Sequence, residues 1–296
     1  MHGLTRYILA LCLLVAPALA EEEEVPVAAD QVTERDRLWV NFTREAAHVG
    51  SGNLRLAVQG LAINKSTRDR TVDMTGFPVD DLEKALEIAG TPDTVENIDA
   101  LRFDLVGSYG LGPYAEFGVD MPFFAQSLRF EGDTPTENTG DVGDLVIYTK
   151  FRKMVADNTS VGGGLELSVP TGSERKRLGT GELAFNPFVN ARHTWGRIAV
   201  GGHLGFAISE GDPADVFNYS TFVIARATEI LAFRLELNGR FFKDFGQDFN
   251  DVSLWPGIDL NVTERVTIRP QGLAGLTSDA WEWGIGAAVV VDLTVF

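Results

Sequence analysis

The sequence predicts an all-β protein: a twelve-stranded antiparallel transmembrane β-barrel with short periplasmic turns and longer extracellular loops. Three observations carry that expectation. Apolar residues recur at every second position through most of the chain, which is the period of a strand and not of a helix. The connections between these segments alternate between short and long. Aromatic residues gather at two levels, as the two interfaces of a bilayer select.

Taken in order, residues 1–20 (MHGLTRYILALCLLVAPALA) have the layout of a secretory signal peptide. Arg6 gives the positive start, Tyr7 to Val15 the apolar stretch, and Ala18-Leu19-Ala20 the small-residue site, with cleavage expected after Ala20. The single cysteine, Cys12, is a small apolar member of that stretch, so the mature chain is expected to carry neither disulfide nor thiol site. Residues 21–50 open on Glu21 to Glu24 and stay polar. They read as an acidic periplasmic tail or a lumen plug, and residues 51–296 as the barrel.

Twelve alternating segments follow, near 54–64, 99–110, 113–123, 142–153, 159–169, 182–193, 197–208, 217–226, 230–241, 252–262, 265–275 and 281–295. In the second, Leu101, Phe103, Leu105 and Tyr109 share one face, and Arg102, Asp104, Val106 and Ser108 the other. Phe117, Val119, Met121 and Phe123 alternate with Glu116, Gly118 and Asp120. Leu145, Ile147, Thr149 and Phe151 oppose Asp144, Tyr148, Lys150 and Arg152; Leu231, Phe233, Leu235 and Leu237 oppose Arg234, Glu236, Asn238 and Arg240. A helix would scramble these sets, whereas a strand keeps each on its own side. The segment 217–226 is ambiguous, because Phe217, Tyr219, Phe222, Val223 and Ile224 populate both faces.

Short turns are expected at 111–112, 154–158, 194–196, 227–229 and 263–264. Longer loops are expected at 65–98, 124–141, 170–181, 209–216 and 242–251, with a brief one at 276–280. Both chain ends then fall on the periplasmic side. Trp281, Trp283, Phe241, Phe217, Tyr219 and Phe123 lie at the long-loop ends, and Tyr109, Tyr114, Trp195 and the terminal Phe296 at the other. Phe296 is one residue out of step with the apolar row Val289, Val291, Leu293 and Val295, which implies a bulge or a residue just past the ladder.

Composition agrees. The 296 residues are 45% hydrophobic, with 31 glycines and 19 phenylalanines. That is too apolar for a disordered chain. Beyond residue 20 no apolar run reaches the roughly 18 residues of a membrane helix. Forty-two acidic residues against 25 basic give a net charge of −17, which excludes nucleic acid as a partner. A soluble barrel with a greasy interior, of the lipocalin kind, is the alternative; it leaves the aromatic belts unexplained.

Several short motifs resemble a known family. Asp141-Val142-Gly143-Asp144-Leu145, running into Tyr148-Thr149-Lys150-Phe151-Arg152, is similar to its "GxGDLxLxxKYRF" strand. Leu167-Ser168-Val169-Pro170-Thr171-Gly172-Ser173 with Gly179-Thr180-Gly181 resembles its "PTG…GSG" segment. Asn186-Pro187-Phe188 and Leu276-Thr277-Ser278-Asp279-Ala280 resemble two further signatures. The family is that of the Gram-negative outer-membrane barrels named after the meta-pathway of phenol degradation. The likeness covers roughly 98–296; residues 65–97 and the tail depart from it. It implies a barrel that passes small compounds, often aromatic or hydrophobic.

With the apolar rows facing lipid, the inward rows carry Arg55, Arg102, Lys150, Arg152, Arg192, Arg197, Arg226, Arg234, Arg240 and Arg269. They also carry Asp104, Glu116, Asp120, Asp144, Glu166, Glu236, Asp259, Glu282 and Asp292. Two readings compete. Cross-strand ion pairs brace a nearly closed interior, or opposed charges line a narrow aqueous path that screens solutes. Twelve strands lie between the sizes that decide the matter. The lumen-lining selectivity candidates are Arg102, Asp104, Glu116, Asp120, Lys150, Arg152, Arg234, Glu236 and Arg240, from the strands with the cleanest alternation. Within 65–98, Val79 to Gly90 has helical spacing and reads as a lid or a rim shield.

Signals for catalysis are weak. His48, His193 and His203 form no metal-ligand pattern, and Gly162-Gly163-Gly164 lacks the following helix that phosphate binding needs. An outer-membrane phospholipase, also a twelve-stranded barrel, would need a His and a Ser together on the lipid face; His203 points inward and His193 has no nearby serine. No catalytic residue, metal or cofactor is expected. The expected partners are outer-membrane lipid and lipopolysaccharide, the barrel-assembly machinery and a small-molecule solute.

Overall fold

The computed structural model describes residues 49–66, 95–130, 137–173, 182–209, 216–244, 247–277 and 280–294. Among the described residues there are thirteen strands and no helix. They are β1 (Asn53–Ser66), β2 (Val95–Gly110), β3 (Ala115–Phe130), β4 (Glu137–Val142), β5 (Leu145–Ala156), β6 (Thr159–Val169) and β7 (Ala184–Trp195). β8 (Ile198–Ser209), β9 (Val216–Arg226), β10 (Leu231–Asp244), β11 (Gln247–Asn261), β12 (Val266–Gly275) and β13 (Trp283–Thr294) complete the set. Sequence neighbours pair antiparallel, except β4 with β5, and β1 pairs with β13 from Asn53↔Thr294 to Asn64↔Trp283. That last ladder closes the sheet on itself.

The ring has twelve staves, because β4 and β5 are the two halves of one. Both pair with β3, β4 against Phe123–Leu128 and β5 against Ala115–Asp120. The break falls at Gly143-Asp144, opposite Pro122, whose carbonyl accepts from the Gly143 N–H at 2.8 Å. Proline has no N–H to give a ladder, so the strand beside it tolerates an extra residue there. Ladder pairs are likewise skipped beside Pro187 on the β8 side and beside Pro256 on the β12 side.

The break is clasped from the neighbouring loop. Thr171 Oγ1 accepts from the Leu145 N–H at 2.9 Å and donates to the Gly143 carbonyl at 3.1 Å, while Asp144 accepts from the Gly172 N–H at 3.0 Å. Two of the motifs that carry the family likeness, Gly143-Asp144-Leu145 and Pro170-Thr171-Gly172, are thus the two halves of one structural joint.

The periplasmic turns are short, as expected, and two share one chemistry. Thr228 Oγ1 accepts from the N–H groups of Ile230 and Leu231, and Thr263 Oγ1 from those of Arg265 and Val266. The hydroxyl replaces the backbone partner that the turn residues lack. At the β7–β8 turn Gly196 holds φ of +52°, a conformation glycine adopts without strain.

The opposite side corrects the expectation. Residues 124–141 and 242–251 are largely strand: β3 and β4 run on together, and β10 and β11 reach Asp244 and Gln247 before turning. Extended hairpins replace those two loops. The signal peptide, residues 21–48, the 79–90 helix and Phe296 lie outside the described residues.

The faces sort as the alternation requires. Leu56, Val58, Phe103, Leu105, Val189, Leu204, Val223, Phe233 and Leu235 all point outward and are exposed. Phe217, Phe241 and Trp283 form an exposed belt at the long-loop side, and Tyr114 and Trp195 one at the short-turn side. Surface of this kind is stable in lipid and not in water. The ambiguous segment resolves as β9: Asn218, Ser220, Phe222 and Ile224 are buried inside, while Phe217, Thr221 and Val223 face out. An inward Phe222 fits because it lies over Gly201 of β8, where a Cβ would collide with its ring. Tyr148 lies over Gly118 of β3 in the same way.

Candidate functional site

All nine lumen candidates sit on inward rows, and most are held in ion pairs. Near the short-turn end Glu116, on β3, is almost fully buried. Its Oε2 lies 3.3 Å from Lys150 Nζ of β5, and its Oε1 accepts from the Tyr148 hydroxyl at 3.3 Å. The same carboxylate accepts from the Val49 N–H at 2.9 Å. Close by, Arg55 grips Asp292 with two bonds, Nε to Oδ1 at 2.6 Å and Nη2 to Oδ2 at 3.2 Å. This fork geometry fixes β1 to β13 across the seam that closes the ring.

A second cluster joins β10, β11 and β12. Asp259 has no exposed surface and accepts from Arg269 Nε at 2.5 Å and from Arg234 Nη2 at 3.5 Å. Arg234 Nη1 also faces Glu236 Oε2 at 3.7 Å. Two guanidiniums thus meet two carboxylates, so the cluster is neutral overall. The apolar inward group Ala199, Phe222, Ile224 and Ala232 completes the filling on the β8–β10 side.

Toward the long-loop side the charges are open to solvent. Arg102 is 39% exposed; its Nε donates to Asp104 Oδ1 at 2.7 Å and its guanidinium lies 5.4 Å above the Phe124 ring. Asp120, half-buried, continues the inward row of Glu116 on β3. Arg240, 36% exposed, is held by Asp251 across the β10–β11 ladder, with Nε to Oδ2 at 3.1 Å. Arg152, also half-buried, lies instead near the short-turn end of β5, where it donates to Met154 Sδ at 3.1 Å. The interior therefore holds a packed, ion-paired floor and, toward the long loops, the half-exposed Arg102 and Arg240.

Of the nine candidates that sequence reasoning named, the structure brings Glu116 together with Lys150, Arg102 with Asp104, and Arg234 with Glu236. It misplaced two residues: Arg197 sits in an exposed turn and Glu282 is exposed beside β13, because their segments begin later than the alternation suggested. It also missed Asp251, assigned to a loop that is strand, although Asp251 and Ser253 continue the inward period. A side-chain chain across four strands was missed as well. Asn186 Nδ2 donates to Glu166 Oε2 at 2.6 Å, Asn218 Nδ2 to Asn186 Oδ1 at 3.1 Å, and His203 Nε2 lies 2.9 Å from Asn218 Oδ1. Asn186 and Asn218, 32 residues apart, give no pattern until the register aligns them. On the outer face His193 Nδ1 lies 2.6 Å from Thr159 Oγ1, so a hydroxyl does stand beside this histidine, supplied by threonine.

Comparison with known proteins shows the fold. No family model matches the chain, and no curated relative does. The structure is similar to that of an outer membrane channel from Pseudomonas putida F1, with a TM-score of 0.64 over 86% of this chain and 99% of that one, at 11% identity. The NanC porin matches with a TM-score of 0.49 at 9% identity, over 80% of this chain and 100% of its own. The translocator domain of the autotransporter NalP from Neisseria meningitidis gives 0.49 at 10% identity, over 89% and 95%. The chain has the closed antiparallel architecture of outer-membrane barrels.

Proposed function

We propose that this chain is a passive outer-membrane channel for small solutes, with no catalytic residue. The observation that carries the reading is the inverted polarity of the barrel: an exposed apolar exterior with two aromatic belts encloses an interior of paired charges, among which Arg102 and Arg240 remain solvent-accessible. Exposed guanidiniums within a low-dielectric wall act on ions at close range, which is how charged rings in pores select solutes. The channel function of the Pseudomonas putida protein supports the same reading. Aromatic or hydrophobic compounds are the solute class that the sequence likeness implies.

The refolded mature chain in a planar bilayer is expected to give discrete conductance steps. In a salt gradient, Arg102→Gln with Arg240→Gln moves the reversal potential toward cation selectivity. An unchanged reversal potential removes these two residues from the path. Silence in every preparation favours the second reading, a sealed and braced barrel, for which the burial of Glu116, Lys150, Arg234 and Asp259 already speaks.

A further inference from the structure

At the short-turn end of β5–β7 the lipid-facing row carries polar residues where the alternation calls for apolar ones. Lys153 follows Phe151 on the outward row of β5 and stands opposite Val161 of β6, both of them exposed apolar residues. The lysine is itself exposed, and among the described residues no carboxylate pairs with it. A cation on a row that meets hydrocarbon is costly at the midplane and tolerated toward the interface, where its long stem bends to the headgroups. Lys153 lies close to Ala156, the last residue of β5, so its ammonium belongs at that level.

On the same face, His193 of β7 stands opposite Thr159 of β6. Its Nδ1 lies 2.6 Å from Thr159 Oγ1, and the Trp195 ring meets it edge-on, with centroids 4.3 Å apart at 62°. These two contacts fix the imidazole. With Nδ1 engaged, Nε2 is the nitrogen left for another partner, and none takes it among the described residues. When the threonine hydroxyl donates to Nδ1, the ring proton sits on Nε2, and a protonated ring donates there as well. Trp195 is 57% exposed and belongs to the aromatic belt, which sets the depth of the group at the headgroups.

Charge agrees with position. Among residues 153–161 and 191–200, Asp157 is the single carboxylate, against Lys153, Arg197, His193 and the inward Arg192. The chain carries −17 overall, so this end of β5–β8 has the opposite sign to the whole. We infer that Lys153 and His193 Nε2 hold the phosphate of a phospholipid from the leaflet on the short-turn side, with Trp195 against its glycerol region. Ammonium and imidazole N–H groups both donate to phosphate oxygens, and charge makes such bonds strong. The site is on the outside of the barrel and is independent of what passes through it.

The test uses the full mature chain, refolded in detergent free of lipid and titrated with dimyristoylphosphatidylglycerol, with bound lipid counted by native mass spectrometry. One lipid is expected to bind more tightly than the rest. Lys153→Gln with His193→Gln weakens it about tenfold, the loss of roughly one hydrogen bond to a charged group. Lys153→Arg keeps it, and Arg265→Gln, which removes an exposed cation from the β11–β12 turn, leaves it unchanged. The heat-dependent shift in gel mobility shows that each variant is folded before its lipid is counted. Equal affinity in the double variant and the parent overturns the site, and an equal loss in Arg265→Gln replaces it with diffuse attraction to the rim. Dimyristoylglycerol, which lacks the phosphate, is expected not to compete; competition by it at equal concentration overturns the phosphate as the group that is read. Displacement by inorganic phosphate at that same concentration overturns the lipid as the occupant.

Discussion

At the scale of single residues, the interior is governed by the cost of leaving a buried charge alone. Asp259 has no exposed surface and serves two arginines from two different strands. Neutralising it removes the acceptor that Arg234 and Arg269 share, and breaking a buried pair in this way costs about 3–5 kcal/mol. Asp259→Asn is therefore expected to lower the urea midpoint of the lipid-refolded barrel without changing its strand content. Adding Arg269→Met to Asp259→Leu is expected to recover much of the loss, because an apolar replacement of a whole pair is often neutral. If the double variant is as unstable as the single one, the pair is not the source of the effect. Arg55 and Asp292 differ only in location: they hold the β1–β13 seam, so their separation is expected to slow ring closure.

At the scale of strands, the cross-strand aromatic and glycine pairs decide which face a stave presents. Phe222 belongs inside because Gly201 gives its ring a flat bed, and Tyr148 because Gly118 does. Gly201→Val puts a branched side chain into the Phe222 ring, an overpacking worth about 1–3 kcal/mol. Folding yield is expected to fall, and Phe222→Ala in the same chain to restore part of it, since the Ala191 carbonyl also crowds that Cβ; no rescue would mean that the backbone contact alone requires the glycine. This pairing explains what the sequence could and could not tell. Alternation in 99–110 and 230–241 is legible because those staves put small or charged residues inside and large apolar ones outside. In 217–226 the pattern blurs, since the residue that makes room for Phe222 stands some twenty positions earlier, on β8. Long-loop boundaries were misread for a related reason: extended hairpins above the membrane have two wet faces and lose the alternation that marks a spanning strand. The nine lumen candidates were legible as a row, whereas Asp251, the partner of Arg240, became visible only with the register.

At the scale of the whole molecule, the barrel is a protein with its solvents exchanged, and that predicts a directional response to charge. Leu235 and Glu236 are adjacent on β10, yet the first is exposed on the outer face and the second buried inside among arginines. Leu235 lies between the Phe241 belt and the short turn, at the depth of the hydrocarbon. An arginine there has no partner and no water, which costs about 2–4 kcal/mol near the midplane. An arginine at Asn238, on the inward row and half-exposed, meets the polar interior, with Glu236 two residues away on the same strand. Leu235→Arg is expected to refold poorly into lipid vesicles and Asn238→Arg nearly as well as the parent, measured by the heat-dependent shift in gel mobility. A soluble barrel orders them the other way, because its exposed face is the wet one and its interior the dry one. Equal tolerance of arginine at both positions would mean that the outward face of β10 does not meet lipid, and the bilayer-spanning reading of the fold would fall with it.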